Sequence, residues 1–186
     1  MKRVLVPLAE GFEELEAVTI IDILRRAGIE VVVASLAGNP VRGSHGIALT
    51  ADAALDEVSG QLFDLIALPG GMPGASNLKD DPRVAAIIRR HYGAGRHVAA
   101  ICAAPMALAA AGVLKGRRAT CYPGFLNSAA DLTLVDEPVV VDDRVITSRG
   151  PGTALDFALE LVAQLQDPAA SQRIESQLQR SRAARQ

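Results

Sequence analysis

A chain of 186 residues is long enough for one α/β domain with a full core, and 49% hydrophobic with 22% charged residues is a globular composition, not a disordered one. A net charge of −2 and only 3% aromatics, with no tryptophan, exclude both the basic footprint of a nucleic-acid binder and a base-stacking surface. Two cysteines nineteen positions apart make neither a disulfide framework nor a zinc motif.

Met1, Lys2 and Arg3 lead into five or six apolar residues before Glu10, too few for a signal-peptide core or a membrane span. The expectation is therefore a cytoplasmic protein without metal or membrane partner, whose cysteines are thiols. In chain order, 2–8 (KRVLVPL) and 30–36 (EVVVASL) read as strands, with helical spacing over 13–27 between them. Residues 63–68 (FDLIAL) form a further strand, stopped by Pro69-Gly70-Gly71, and 82–92 a helix with proline in its first turn. Then come a strand over 97–101, a helix over 105–111 and a short strand over 118–121.

Residues 137–148 (EPVVVDDRVITS) read as a hairpin turning at Asp142-Asp143. After Gly150-Pro151-Gly152, a helix over 154–166 has Thr153 as its candidate cap, and Asp167-Pro168 ends it. A polar amphipathic helix fills 170–180, and the tail from about 181 is expected to fray. Strands alternating with helices imply βαβ units and a mostly parallel sheet; no linker or repeat divides 1–186, so the chain is one domain.

Within the first helix Glu16 shares the arc of Ile20, Ile23 and Ala27, so a carboxylate points toward the sheet. Burial there implies a raised pKa or a specific partner. The plainer reading is that glutamates 10, 13, 14 and 16 answer the helix macrodipole; it suffices for Glu13 and Glu14 and leaves Glu16 open. Cys102 ends the 97–101 strand just before the helix opened by Ala103-Ala104-Pro105, the geometry of a nucleophile elbow at the carboxyl edge of the sheet. The N–H groups of that helix favour a thiolate and a lowered pKa. Against this, a cysteine in an apolar strand is commonly a small core residue, and Cys121 has only that reading.

Gly70 and Gly71 end another strand at the same edge, where their backbone N–H groups can approach a developing oxyanion. The histidines matter by absence, because a Cys–His pair needs its base within hydrogen-bond reach. His91 and His97 flank the Ala94-Gly95 turn at the far end of the Cys102 strand, and the place of His45 is open. Gly150-Pro151-Gly152 lacks the Lys and Ser/Thr of a phosphate loop.

With these residues in hand, the chain resembles the ThiJ/PfpI superfamily, in the short branch that holds YajL and the parkinsonism-associated protein deglycase. The stretches that carry the resemblance are LAEGFEELEAV (8–18), LRRAGIEV (24–31), LPGGMPGASNL (68–78), AAICAAP (99–105) and TSRGPGTALDFAL (147–159). The resemblance implies a flavodoxin-like three-layer sandwich, a homodimer and no cofactor. It implies Cys102 as nucleophile, Glu16 as a protonated carboxyl bonded to the sulfur, and oxyanion donors around Gly70, Gly71 and Ala103.

Two departures stand out. Peptidase-like relatives carry a histidine directly after the cysteine, where this chain has Ala103, which disfavours proteolysis. The deglycase branch often carries a histidine before a proline on the next strand, where this chain has Tyr122-Pro123. Tyr122, His45 and Arg26 are the auxiliary candidates, with His45 placed to approach a partner subunit's pocket.

The activity so implied is a cofactor-free glyoxalase or deglycase acting on reactive α-oxoaldehydes, or on the early adducts they form with proteins and nucleotides. The alternative is a redox-sensing thiol protein or chaperone with little turnover, using the same site.

Overall fold

The structure is a computed structural model and describes residues 1–126 and 131–180. The expected frayed tail from 181 lies outside the described residues.

Strand β1 (Arg3–Leu8) is apolar along both faces because helices cover both sides of the sheet. It pairs in parallel with β2 (Glu30–Ser35), from Arg3 opposite Glu30 to Leu8 opposite Ser35. Between them α1 (Glu14–Arg26) buries Glu16, Ala17, Ile20, Ile23 and Leu24. Glu13 caps this helix, its carboxylate accepting the Glu16 N–H at 2.7 Å, a contact of about 1 kcal/mol. Strands β3 (Val41–Arg42) and β4 (Ala48–Leu49) form a small hairpin, followed by the edge strand β5 (Ala53–Ala54) and the one-turn helix α2 (Leu55–Val58).

Strand β6 (Leu65–Leu68) leads through α3 (Gly74–Asp80) and α4 (Pro82–Gly93) into β7 (His97–Ile101), and α5 (Pro105–Ala110) follows. Strand β8 (Arg118–Ala119) pairs only with β9 (Thr133–Leu134), outside the central sheet. The hairpin β10 (Val139–Asp142) and β11 (Val145–Ser148) closes the sheet before α6 (Ala154–Leu165) and α7 (Pro168–Gln177).

The seven-stranded sheet runs β10-β11-β7-β6-β1-β2-β5, with only β10 antiparallel. Counting only the long parallel strands, the order is 2-1-3-4-5, that of a flavodoxin-like sandwich, with α1 and α6 packed together on one side and α3, α4 and α5 on the other. Leu8, Leu68, Ile101 and Ser148 all end at one edge of the sheet. The strand order reverses between β1 and β6, and ligands of such sheets bind at that point.

Several sequence expectations shift here. The 118–121 strand is two residues long, because the Thr120 N–H turns to the Thr147 hydroxyl at 2.9 Å. The hairpin turns at Asp143-Arg144: Asp142 is still paired with Val145, and Asp143 takes the left-handed φ of 54°. Thr153 does not cap α6, since its hydroxyl is engaged with Ser148 Oγ at 2.7 Å and Gly150 O at 3.0 Å. Helix α7 starts at Pro168, with Asp167 accepting the Ala170 N–H at 2.7 Å.

Candidate active site

The loops after β1, β6, β7 and β11 meet at the switch point, and each contributes a piece of the site. Cys102 follows β7 directly and sits at φ 63°, a left-handed conformation that costs a non-glycine residue about 1–2 kcal/mol. Three backbone bonds hold it there: its own N–H to Ser148 O at 3.0 Å, the Tyr122 N–H to its carbonyl at 2.9 Å, and the Ala104 N–H to Ile101 O at 3.0 Å. The elbow predicted from the sequence is present, and the thiol is 8% exposed.

Glu16 lies in the first turn of α1 and is fully buried. Its Oε2 accepts the Gly70 N–H at 2.7 Å, whereas Oε1 has no aligned hydrogen-bond partner. Burial raises its pKa from 4.5 to about 7; the Gly70 N–H and the Cys102 thiol oppose the rise, and the charge on Glu13 adds to it. The carboxyl and the thiol are within proton-sharing reach, although this conformer does not align a bond between them.

The thiol corrects one expectation. It is pushed up to about 12, first by burial, then by the neighbouring Glu16 carboxylate and the bond drawn to it. The N–H groups of Gly71 and Ala103 pull the other way, and these two donors lose to desolvation plus a nearby anion. Burial and the Glu16 carboxylate thus both favour the protonated thiol over the thiolate.

The glycines divide their work. Gly71 and Ala103 turn their N–H groups toward the sulfur. The N–H of Gly70 is taken by Glu16, so Gly70 positions the carboxyl and is not an oxyanion donor. Gly71 stands at φ 89°, where a Cβ would fall 2.3 Å from the Glu13 nitrogen.

The auxiliary candidates separate. Tyr122 stands beside the nucleophile through its backbone; its half-exposed ring lies against Gly150 and meets Phe125 edge-to-face at 6.1 Å. Arg26 is ten residues along α1 from Glu16, about 15 Å away, and pairs with Asp22 at 2.6 Å, so it is not part of the site. His45 is held by buried Glu14, which accepts its Nδ1 at 2.9 Å and its N–H at 2.7 Å. The same carboxylate accepts the Ile47 N–H at 3.2 Å. The loop over 43–47 is thus tied to the start of α1, and the bond to Glu14 raises the His45 pKa.

His91 and His97 stay at the far end of β7. His91 is buried, with Nδ1 on the Ile87 carbonyl at 2.8 Å and Nε2 accepting the Phe63 N–H at 2.9 Å. Among the described residues one set of potential metal ligands converges, Glu13, Glu14 and His45, and it is the set that anchors the 43–47 loop. Sequence reasoning did not single out Ser148, whose carbonyl fixes the Cys102 N–H; its only signal was its place in TSRGPGTALDFAL.

Comparison with known proteins finds a family and several relatives. The family model described as the DJ-1/PfpI family matches residues 2–164. Protein DJ-1 homolog B of Arabidopsis thaliana is 45% identical over 88% of this chain, which spans only 38% of that longer protein. The Parkinson disease protein 7 homolog of Danio rerio is 44% identical over 88% of this chain and 89% of its own length. A Caenorhabditis elegans protein named glutathione-independent glyoxalase DJR-1.2 is 37% identical over 86% of each. The crystal structure of Drosophila melanogaster DJ-1beta superposes with a TM-score of 0.92 at 38% identity, covering 97% of this chain and 98% of that one. On sequence and fold alike, the chain belongs to the DJ-1/PfpI family.

Proposed function

We propose that the protein is a cysteine-dependent, cofactor-free glyoxalase that also acts, as a deglycase, on early α-oxoaldehyde adducts. The observation that carries this reading is a buried carboxyl with one unpartnered oxygen, set beside a thiol that faces two backbone N–H groups. The glyoxalase name of the C. elegans relative supports it.

A carboxylate with a pKa of about 7 is matched to proton transfer at neutral pH. Glu16 takes the thiol proton as the sulfur adds to the aldehyde carbon, so no free thiolate has to accumulate. The hemithioacetal oxyanion meets the N–H groups of Gly71 and Ala103 and is then protonated. Glu16 next carries a proton from the former aldehyde carbon to the adjacent carbonyl carbon through an enediol. Water cleaves the resulting thioester, releasing a 2-hydroxy acid and restoring the thiol. The net reaction adds one water to the α-oxoaldehyde.

The test is lactate formation from methylglyoxal by wild type, Cys102→Ser and Glu16→Gln. Loss in both variants is expected, and equal rates in all three would sink the mechanism.

The working form is a cytoplasmic homodimer. Leu15 and Val18 on α1 and Ile47 on the loop tied to Glu14 are 52%, 44% and 57% exposed in the single chain, an apolar face suited to a second copy. No helix among the described residues is long and apolar enough to cross a membrane. Light scattering of wild type and Val18→Glu checks the dimer; a monomeric wild type would overturn it.

A further inference from the structure

Cys121 is the one thiol that the mechanism leaves unused, and the fold sets it against the nucleophile. The N–H of Tyr122, the residue after Cys121, donates to the Cys102 carbonyl at 2.9 Å. In a trans peptide the preceding Cα lies on the same side as the N–H. A bond of this length, aimed at the carbonyl, therefore brings the Cα atoms of Cys121 and Cys102 to about 6 Å or less. Disulfides span Cα separations of about 4.4–6.8 Å. The two side chains now diverge: Cys102 faces Glu16 and Gly70, and the Cys121 thiol donates to the Tyr122 carbonyl at 3.1 Å. Closing the pair requires the two sulfurs to turn toward each other.

The surroundings of Cys121 act on its thiol in both directions, and burial prevails. Burial raises its pKa, but the N–H groups of Leu126 and Phe125 and the charge of Arg149 all favour the thiolate. Both cysteines are 8% exposed.

We propose that Cys121 is the resolving thiol for Cys102, so that peroxide closes an intramolecular Cys102–Cys121 disulfide instead of driving Cys102 to the sulfinic acid. In the first step the Cys102 sulfur, its proton passed to Glu16, attacks the peroxide; the O–O bond breaks, the sulfur is oxidised to the sulfenic acid, and Glu16 returns the proton to the leaving oxygen, which departs as an alcohol or water. In the second step the Cys121 thiolate attacks that sulfur, the S–S bond forms and the S–O bond breaks. The hydroxyl leaves as water, taking up the proton that Cys121 released to solvent when it ionised. Two thiols and one peroxide give one disulfide, one alcohol or water, and one water. The site is switched off reversibly, independently of whether its substrate is an aldehyde.

The test treats the reduced full chain with a small excess of hydrogen peroxide, enough for two successive oxidations of each chain, and reads intact mass and a non-reducing peptide map. Wild type is expected to lose about 2 Da, to give one linked peptide containing both cysteines, and to recover both thiols with dithiothreitol. Cys121→Ser and Cys121→Ala are expected to gain about 32 Da at Cys102 instead, irreversibly. Wild type that gains the two oxygens at Cys102 while Cys121 still alkylates after denaturation would overturn the proposal, as would a disulfide found only between two chains. The wild-type map decides alone where the variants fail to fold.

Discussion

Gly70 binds Glu16 through its backbone N–H at 2.7 Å and, by lacking a side chain, leaves room for the thiol that Glu16 serves. A Cβ at this position would lie 2.8 Å from Glu16 Oε2 and 2.7 Å from Cys102 Cβ, so one methyl group would press on acid and nucleophile together. Gly70→Ala is therefore expected to keep the fold, by circular dichroism, and to lower methylglyoxal turnover on the order of 100-fold, the cost of a displacement of about 1 Å between reacting groups. Wild-type turnover in this variant would refute the tight packing.

Glu16 costs the protein stability. Its pKa is raised from 4.5 in the unfolded chain to about 7 in the folded one, so the folded state holds a proton that the unfolded state gives up between those values. Stability from this group is fully present below pH 4.5 and lost as pH rises through about 7. The difference of about 2.5 pKa units corresponds to about 3 kcal/mol above neutrality. Glu16→Gln, which cannot ionise, is expected to be inactive yet more stable than wild type by up to that amount at pH 8, and nearly equal at pH 4.5. Urea unfolding at the two pH values measures it.

The same group sets the pH dependence of turnover. Glu16 must be ionised to take the thiol proton, so kcat/KM for methylglyoxal is expected to rise with pH through about 7. A profile that falls over this range would mean that the protonated carboxyl is the working form. Alkylation of Cys102 by iodoacetamide gives a second readout. Glu16→Gln removes the anion beside the sulfur, and its apparent thiol pKa is expected to drop below that of wild type.

What was legible in the sequence follows from where each property is decided. The run of β1, the arc of α1 and the elbow at Cys102 are local patterns, and the structure reproduces them. Glu16 was visible because helical spacing aimed a carboxylate at the sheet. The direction of the Cys102 pKa was not, because it depends on burial and on a carboxylate 86 positions earlier in the chain. His45 was equally hidden: its place is fixed by Glu14, 31 residues away. The short elements α2, α3 and β3 to β5 span at most seven residues each, too few for hydrophobic periodicity to show.

His91 gives stability a second pH dependence, opposite in sign to that of Glu16. Burial holds its pKa below 6.5, and both ring nitrogens are engaged, so the folded state refuses a proton that the unfolded chain accepts. Stability is therefore lost as pH falls below about 6.5. His97, also lowered by burial, acts in the same direction, whereas His45 acts in the other and sits exposed. The Glu16→Gln background removes the overlapping carboxyl titration and leaves the histidines to set the slope between pH 5 and 6.5, in the range of about 5 to 8 where carboxylates of ordinary pKa stay ionised. In that background His91→Leu is expected to flatten the slope. At pH 7 it is expected to cost about 1–3 kcal/mol, because the Phe63 N–H loses the ring nitrogen that accepts it. An unchanged slope in urea unfolding between pH 5 and 6.5 would show that His91 already takes up its proton in the folded state.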